Sequence, residues 1–262
     1  MKQFLKKYEV TIPFEVKCNM KIKLFDYHLT KPLLAYISSN NNFALWDYER
    51  KICLRSFNAN AFEAKDLSKT ISVKQIKFFD RSILECMDRM SIQSPGFEID
   101  KYHIVNFNWL IILAETKIFF YNYVSEKSES INQLMLENKV PRCFEIINDQ
   151  HMAIGCSDGS VKIFDLGMWK VVKTLRNVHL RAISAILSIK DPNDQSPLLI
   201  VSSNDGLMCG WKLENDTPST RFLMLKQGKP IPTANNSQDV YCLSYNSNTQ
   251  YLVSVSESYV SH

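Results

Sequence analysis

His179, Ser202 and Asp205 bring together the side-chain types of a nucleophilic triad, with Trp211 six residues beyond the aspartate. In such a triad an imidazole takes the proton of a serine hydroxyl and a carboxylate holds the imidazole in the right tautomer. The surrounding sequence argues against that chemistry, because no Gly-x-Ser-x-Gly elbow accompanies Ser202 or Ser203. The spacing belongs instead to an internal repeat. There, His179, Ser202, Asp205 and Trp211 form a buried hydrogen-bond network that braces a sheet, and such a network stabilises only when every member is satisfied.

Other chemistry-bearing residues carry less. His28, His103, His151 and His262 have no ligand spacing, so metal binding is not expected. Gly155, Gly159 and Gly206 read as turn or packing glycines, since neither a P-loop nor a dinucleotide fingerprint occurs. Asp26 with Asp47, or Asp149 with Asp158, has nothing that raises the pair above solvated loop charges. The expectation is no catalytic site, no cofactor and no metal.

The elements that hold these residues follow from the repeat. Asp158-Gly159 leads to Phe164 and Asp205-Gly206 leads to Trp211, in each case six residues after the aspartate. Asp-Gly between alternating apolar runs is a strong hairpin signal, because glycine accepts the positive φ of a tight turn. At the same offset Asn40 precedes Trp46 and Glu115 precedes Tyr121. The anchors Trp46, Tyr121, Phe164 and Trp211 are separated by 75, 43 and 47 residues, and Asp47 and Asp165 follow their aromatics directly. A period of roughly 40 to 45 residues with four strands and a Trp-Asp end is the signature of a WD-repeat β-propeller. The fold class is therefore all-β: one propeller over residues 1–262, with five to six blades present of an expected seven. The 75-residue step has room for a further, worn blade in SVKQIKFFDRSILECMDRM.

Composition agrees. A chain of 262 residues with 45% hydrophobic and 22% charged residues can bury a substantial core. Its seven cysteines (Cys18, Cys53, Cys86, Cys143, Cys156, Cys209 and Cys242) form no C-x-x-C pair. That pattern points to a reducing compartment and to cysteines used as small apolar residues. A formal charge of +4 supports no claim on nucleic acid or membrane. No apolar run is long enough to cross a bilayer and the start MKQFLKKYEV lacks a signal-peptide core, so the chain reads as cytoplasmic with at most peripheral membrane contact.

In chain order, Met1 to Val16 alternates weakly and suits a strand that closes a ring, its Lys2, Lys6 and Lys7 forming a solvated face. KIKLFDY, LLAYISS, FALWDYE and KICLRSF supply the four strands of the first blade, KIKLFDY innermost. Residues 58–71 and 214–238 are connecting loops, the latter carrying an outer strand near RFLML, and residues 71–100 resist a unique register. FNWLIILAE with KIFFYNYV, then residues 139–175 and 181–213, form the next blades, and VYCLSYN with YLVSVSE opens another. If Glu257 takes the place of Asp205, the last aromatic is due one residue after His262, so the sequence is expected to stop inside a blade.

KIKLFDYHLTKPLLAYISSNNNFALWDYERKICLRSFNA, SVKQIKFFD, GCSDGSVKIFDLGMWKVVKTLRNVHLRAISAIL and LLIVSSNDGLMCGWKL carry a resemblance beyond the generic repeat. Together they resemble the amino-terminal propeller of the large WD-repeat subunits of TSET, the coat-like adaptor complex called TPLATE in plants. SVKQIKFFD and MWKVVKTL are the most specific pieces, and the resemblance covers most of residues 18–260. It implies a non-catalytic scaffold in a heteromeric coat that works with clathrin in endocytosis at the plasma membrane. It also implies propellers followed by an α-solenoid, a plan from which this sequence departs. The residues alone reach a protein-interaction scaffold, for which a ubiquitin-ligase substrate receptor or an RNA-processing scaffold is the alternative.

Overall fold

Short alternating apolar runs separated by Asp-Gly, Asn-Asn and Pro-containing turns fold as consecutive antiparallel strands. A computed structural model describes residues 21–60, 71–86, 102–176, 179–190, 196–213, 220–222, 225–226, 229–230, 240–246, 248–249 and 251–256. The described residues are all-β apart from short 3-10 turns such as Leu134–Leu136, and their four-stranded antiparallel sheets are of the propeller-like kind.

Each sheet is a meander of four strands in chain order. The first comprises β1 (Ile22–Tyr27), β2 (Leu33–Ser38), β3 (Asn42–Asp47) and β4 (Ile52–Asn58). The second holds β5 (Val73–Cys86), β6 (Tyr102–Ala114), β7 (Lys117–Asn122) and β8 (Ser128–Ile131). The third holds β9 (Pro141–Ile146), β10 (His151–Cys156), β11 (Val161–Asp165) and β12 (Lys170–Leu175). The fourth holds β13 (Ile183–Lys190), β14 (Pro197–Ser203), β15 (Met208–Lys212) and β16 (Thr220–Phe222). Two-stranded pieces follow: β17 (Leu225–Lys226) with β18 (Lys229–Pro230), and β19 (Val240–Asn246) with β20 (Tyr251–Ser256).

The residues group into two compact units, one reaching Ile71 and including Ile76–Phe78, the other formed by Ser72–Gln75 and the chain from Phe79 onward. In the first unit, Ala35, Ile37, Phe43 and Leu45 are buried from β2 and β3. Asp26 of β1 accepts the Phe78 N–H at 2.7 Å, and the His28 ring meets Phe78 edge-on with centroids 5.4 Å apart.

In the second unit, sheets stack face to face and each central strand buries both of its sides. Met152, Ile154, Cys156 and Phe164 of the third sheet pack with Ile111, Leu113, Ile118 and Phe120 of the second. The alternate residues Ala153, Val161 and Ile163 pack with Leu199, Val201, Cys209 and Trp211 of the fourth. Strands that cover both faces this way lose the polar side of a half-exposed strand, which is why β10 and β14 read as nearly continuous apolar runs. The first strand β13 lies beside β9 and β19, so the opening strands of successive sheets run together.

The expected anchors occupy equivalent positions. Trp46 pairs across from Leu34, Tyr121 from Leu110, Phe164 from Met152 and Trp211 from Leu199, always third strand against second. The 75-residue step behaves differently from the further blade expected for it. β5 opens the same sheet as β6, β7 and β8, and its 14 residues with the 13 of β6 take up the extra length. β16 provides the outer strand expected inside 214–238, while Met1 to Val16, residues 61–70, 87–101 and Glu257 onward lie outside the described residues.

Trp211 is 1% exposed, and its indole nitrogen has no hydrogen-bond partner among the described residues. Its contribution is therefore the packing of its rings. Trp211→Ala is expected to cost about 3–5 kcal/mol as a large-to-small core change, whereas Trp211→Phe keeps most of the apolar contact and costs far less. Urea unfolding of the two variants separates these, and equal midpoints contradict the packing role.

Candidate functional site

Polar side chains converge where the turns after the second strands meet the segments that open the first strands. In each of the four sheets a turn N–H donates to the carbonyl just ahead of, or opening, the first strand. The bonds are Ser39 to Lys21 (2.7 Å), Glu115 to Ser72 (3.1 Å), Ser157 to Val140 (2.9 Å) and Asn204 to Ala182 (3.0 Å). The recurrence ties strand pairs that are adjacent in space at the same end of every sheet. Gly159 and Gly206 supply φ of 83° and 79° in the two Asp-Gly turns, where Gly159 N–H bonds Cys156 O and Gly206 N–H bonds Ser203 O. A Cβ on Gly159 would lie 2.2 Å from the His179 carbonyl oxygen, so only glycine lets this turn rest on the segment that opens the fourth sheet.

His179 and Asp205 are brought together there. The His179 Nδ1–H lies 3.1 Å from both Asp205 carboxylate oxygens, and Nε2–H donates to Val201 O at 3.3 Å. Both ring nitrogens face acceptors, the arrangement that an imidazolium satisfies. Burial by itself lowers the His179 pKa, but hydrogen bonds with Asp205 and Cys209, together with their charges, raise it to about 9. Burial by itself raises that of Asp205, and the His179 bond with the Leu207 and Leu180 N–H donors holds it below the ordinary carboxylate value. Asp205 thus locks its own turn and the approach to β13 through one carboxylate.

The other two residues of the expected set stand apart from this pair. The Ser202 hydroxyl donates to Ala185 O at 3.3 Å and lies 3.3 Å from the Ser184 hydroxyl, and the Trp211 indole N–H is unpaired among the described residues. Ser203 makes the turn contacts instead, donating to Arg181 O at 3.1 Å and accepting the Asp205 N–H at 3.2 Å. Asp158 holds the equivalent turn of the third sheet through Ser160, with Lys139 Nζ 3.1 Å away.

A second recurrent turn lies after the third strands. Asp165 accepts the Gly167 and Met168 N–H at 2.8 and 2.7 Å and the Gln150 amide at 2.9 Å. Asp47 accepts the Arg50 N–H at 2.9 Å, and Asn122 accepts those of Val124 and Ser125 at 3.0 and 2.9 Å. Four residues beyond each, Lys51, Glu126 and Trp169 take positive φ of 59°, 61° and 53°. The residue after the anchor is therefore a turn former, its short oxygen bonding the backbone two or three residues on. Burial tends to raise the Asp165 pKa, and the donors from Met168, Gln150 and Gly167 hold it low.

Asn122 was legible in the sequence, since it follows Tyr121 as Asp47 follows Trp46. Two further groups carried no such signal. Trp169 meets Phe120, Phe164 and Trp109 edge-on, with centroids 5.0 to 6.1 Å apart, joining the second and third sheets. The buried Lys162 is paired with Glu137, which also takes Arg176. Among the described residues no cluster of His, Cys, Asp and Glu is placed to hold a metal ion, and no helix is long and apolar enough to cross a membrane.

The His179–Asp205 pair fixes a pH dependence. The folded-state pKa of His179 is about 9 against an ordinary 6.5, so unfolding between these values releases a proton. The His179 contribution is complete below pH 6.5 and is lost as pH rises through about 9. Thermal melting is expected to fall across that interval for the unaltered chain, and the fall is expected to flatten in His179→Gln. The same slope in both proteins contradicts the assignment.

No family model matches the chain. Over 172 residues, 61% of its length, the chain is 25% identical to TSET complex member tstF of Dictyostelium discoideum. It spans only 14% of the length of that protein. What the chain is similar to is thus one part of a much longer protein that belongs to a multi-subunit complex.

Proposed function

We propose that the chain is a non-catalytic scaffold subunit of a TSET-type adaptor complex, acting in clathrin-associated endocytosis and vesicle trafficking. In this reading its four-stranded sheets are blades of a WD-repeat propeller of the seven-bladed kind. The partners are other protein subunits of a heteromeric coat, with peripheral attachment at the plasma membrane from the cytoplasm, and neither nucleic acid nor a small-molecule substrate is part of the function.

The similarity to tstF over 172 residues carries the reading. The structure supports it through what its polar groups do. His179, Asp205, Asp158, Asp165 and Asn122 spend their hydrogen bonds on backbone turns, as a scaffold requires. Rigid turns at sheet ends are also where a propeller presents loops to partners.

Tagging the chain at its own locus, purifying it gently and identifying its companions by mass spectrometry tests this. Adaptin-like, medium and small coat subunits are the expected companions. Ubiquitin-ligase or RNA-processing components without coat subunits would overturn the endocytic reading and favour a different adaptor.

A further inference from the structure

The segment that carries the chain from the second sheet to the third is fastened to one buried charge. Lys162 of β11 lies two residues before Phe164, on the face turned to the second sheet, and its side chain is 1% exposed. Its ammonium donates to the Glu137 carboxylate and to the Thr174 hydroxyl at 3.3 Å, and among the described residues Glu137 is the carboxylate paired with it. An ammonium taken out of water is tolerated when it is paired, and removing the partner leaves a buried charge with nothing to offset it.

Glu137 belongs to a strap of residues 132–139. The 3-10 turn of the strap, Leu134–Leu136, lies beside β12 and seats the fully buried Leu136 in the core shared by the second and third sheets. Asn132 accepts the Met135 N–H at 3.2 Å, and the Gln133 carbonyl accepts those of Leu136 and Asn138 at 3.0 and 2.7 Å. Glu137 and Asn138 follow with φ of 55° and 63°. Two successive left-handed residues, neither of them glycine, oppose the preference of the backbone, and such a conformation persists where surrounding contacts hold it. Glu137 makes that contact: its half-exposed carboxylate is tied to Lys162 and lies 3.5 Å from Arg176. The remaining charge that faces it is Lys139 of the strap itself, whose ammonium is 3.1 Å from Asp158.

We propose that Glu137 is a latch: its carboxylate on the buried Lys162 ammonium holds the strap shut, and loss of that charge releases residues 132–139 while the sheets on either side stay folded. Release lets both left-handed residues relax and takes Leu136 out of the core, so the strap opens as one piece. The hydrogen bond and charge of Lys162, with the charges of Arg176 and Lys139, hold the Glu137 carboxyl below its ordinary value against an opposing effect of burial. The latch is therefore complete above pH 4.5 and is lost as pH falls through the lower folded value. It is an acid-sensitive device and does not depend on the subunit reading.

Amide hydrogen exchange on the full chain tests it at neutral pH, where Asp158, Asp165 and Asp205 keep their charges. In Glu137→Gln the Asn138 and Lys139 amides are expected to exchange about tenfold or more faster, with the amides of β10 and β11 unchanged. Glu137→Gln combined with Lys162→Met removes the buried charge along with its partner, and protection of the strap is expected to return. Unaltered exchange of the strap in Glu137→Gln overturns the latch, and so does an equal loss of protection in strap and strands. A double variant as open as the single one also overturns it, because the strap would then need Glu137 for something other than the Lys162 charge. On acidification, with intrinsic rates corrected for, the strap of the unaltered chain is expected to open while that of the double variant stays protected. The same acid response in both contradicts the acid sensitivity.

Discussion

One backbone hydrogen bond recurs in every four-stranded sheet: an N–H from the turn after the second strand, donated to the carbonyl where the first strand begins. An antiparallel meander frays most easily at its turns, where the ladder stops and backbone groups lose their partners. This bond supplies one of those partners within the same sheet. It also fixes the register of the first pair, since a slip of one residue would move the donor away from its acceptor and turn every apolar side chain to the wrong face. The positions of Trp46, Tyr121, Phe164 and Trp211 across from a second-strand apolar residue follow from that register.

Polar residues reinforce the same scheme at both ends of the sheets. At one end Asp205 accepts from His179, Leu180 and Leu207, so one carboxylate holds a turn and the segment that leads into the first strand of the same sheet. At the other, Asp47, Asn122 and Asp165 shape the turn into the fourth strand. Between them the sheets meet through apolar faces, with Phe164 facing the second sheet and Trp211 facing the third. A molecule assembled this way spends its chemistry on rigidity. Such rigidity accords with the similarity to one part of a member of a larger complex.

Much of this was legible in the sequence because the signals are local. Asp158-Gly159 and Asp205-Gly206 announce their turns through glycine's tolerance of positive φ, and the fixed offset to a large aromatic identifies the third strand. The composition of the polar network was less legible. The spacing groups His179, Ser202, Asp205 and Trp211, yet only His179 and Asp205 join, because strand alternation turns Ser202 toward Ser184 and leaves Val201 to meet the imidazole. The extended β5 and β6 could not be read as one sheet either, since pairing across residues 87–101 is non-local and leaves no mark in a short window. The aromatic group around Trp169 and the Gln75 bridge to Phe144 are likewise contacts between distant segments, 69 residues apart in the second case.

The recurrent turn bond is the central claim, and native-state amide hydrogen exchange addresses it most directly. The account predicts that the N–H groups of Ser39, Glu115, Ser157 and Asn204 are protected to a degree approaching that of the strand amides beside them. If all four exchange as fast as the exposed turn amides of Val124 and Ser125, whose acceptor is only the Asn122 side chain, the repeat has no common brace and the account fails.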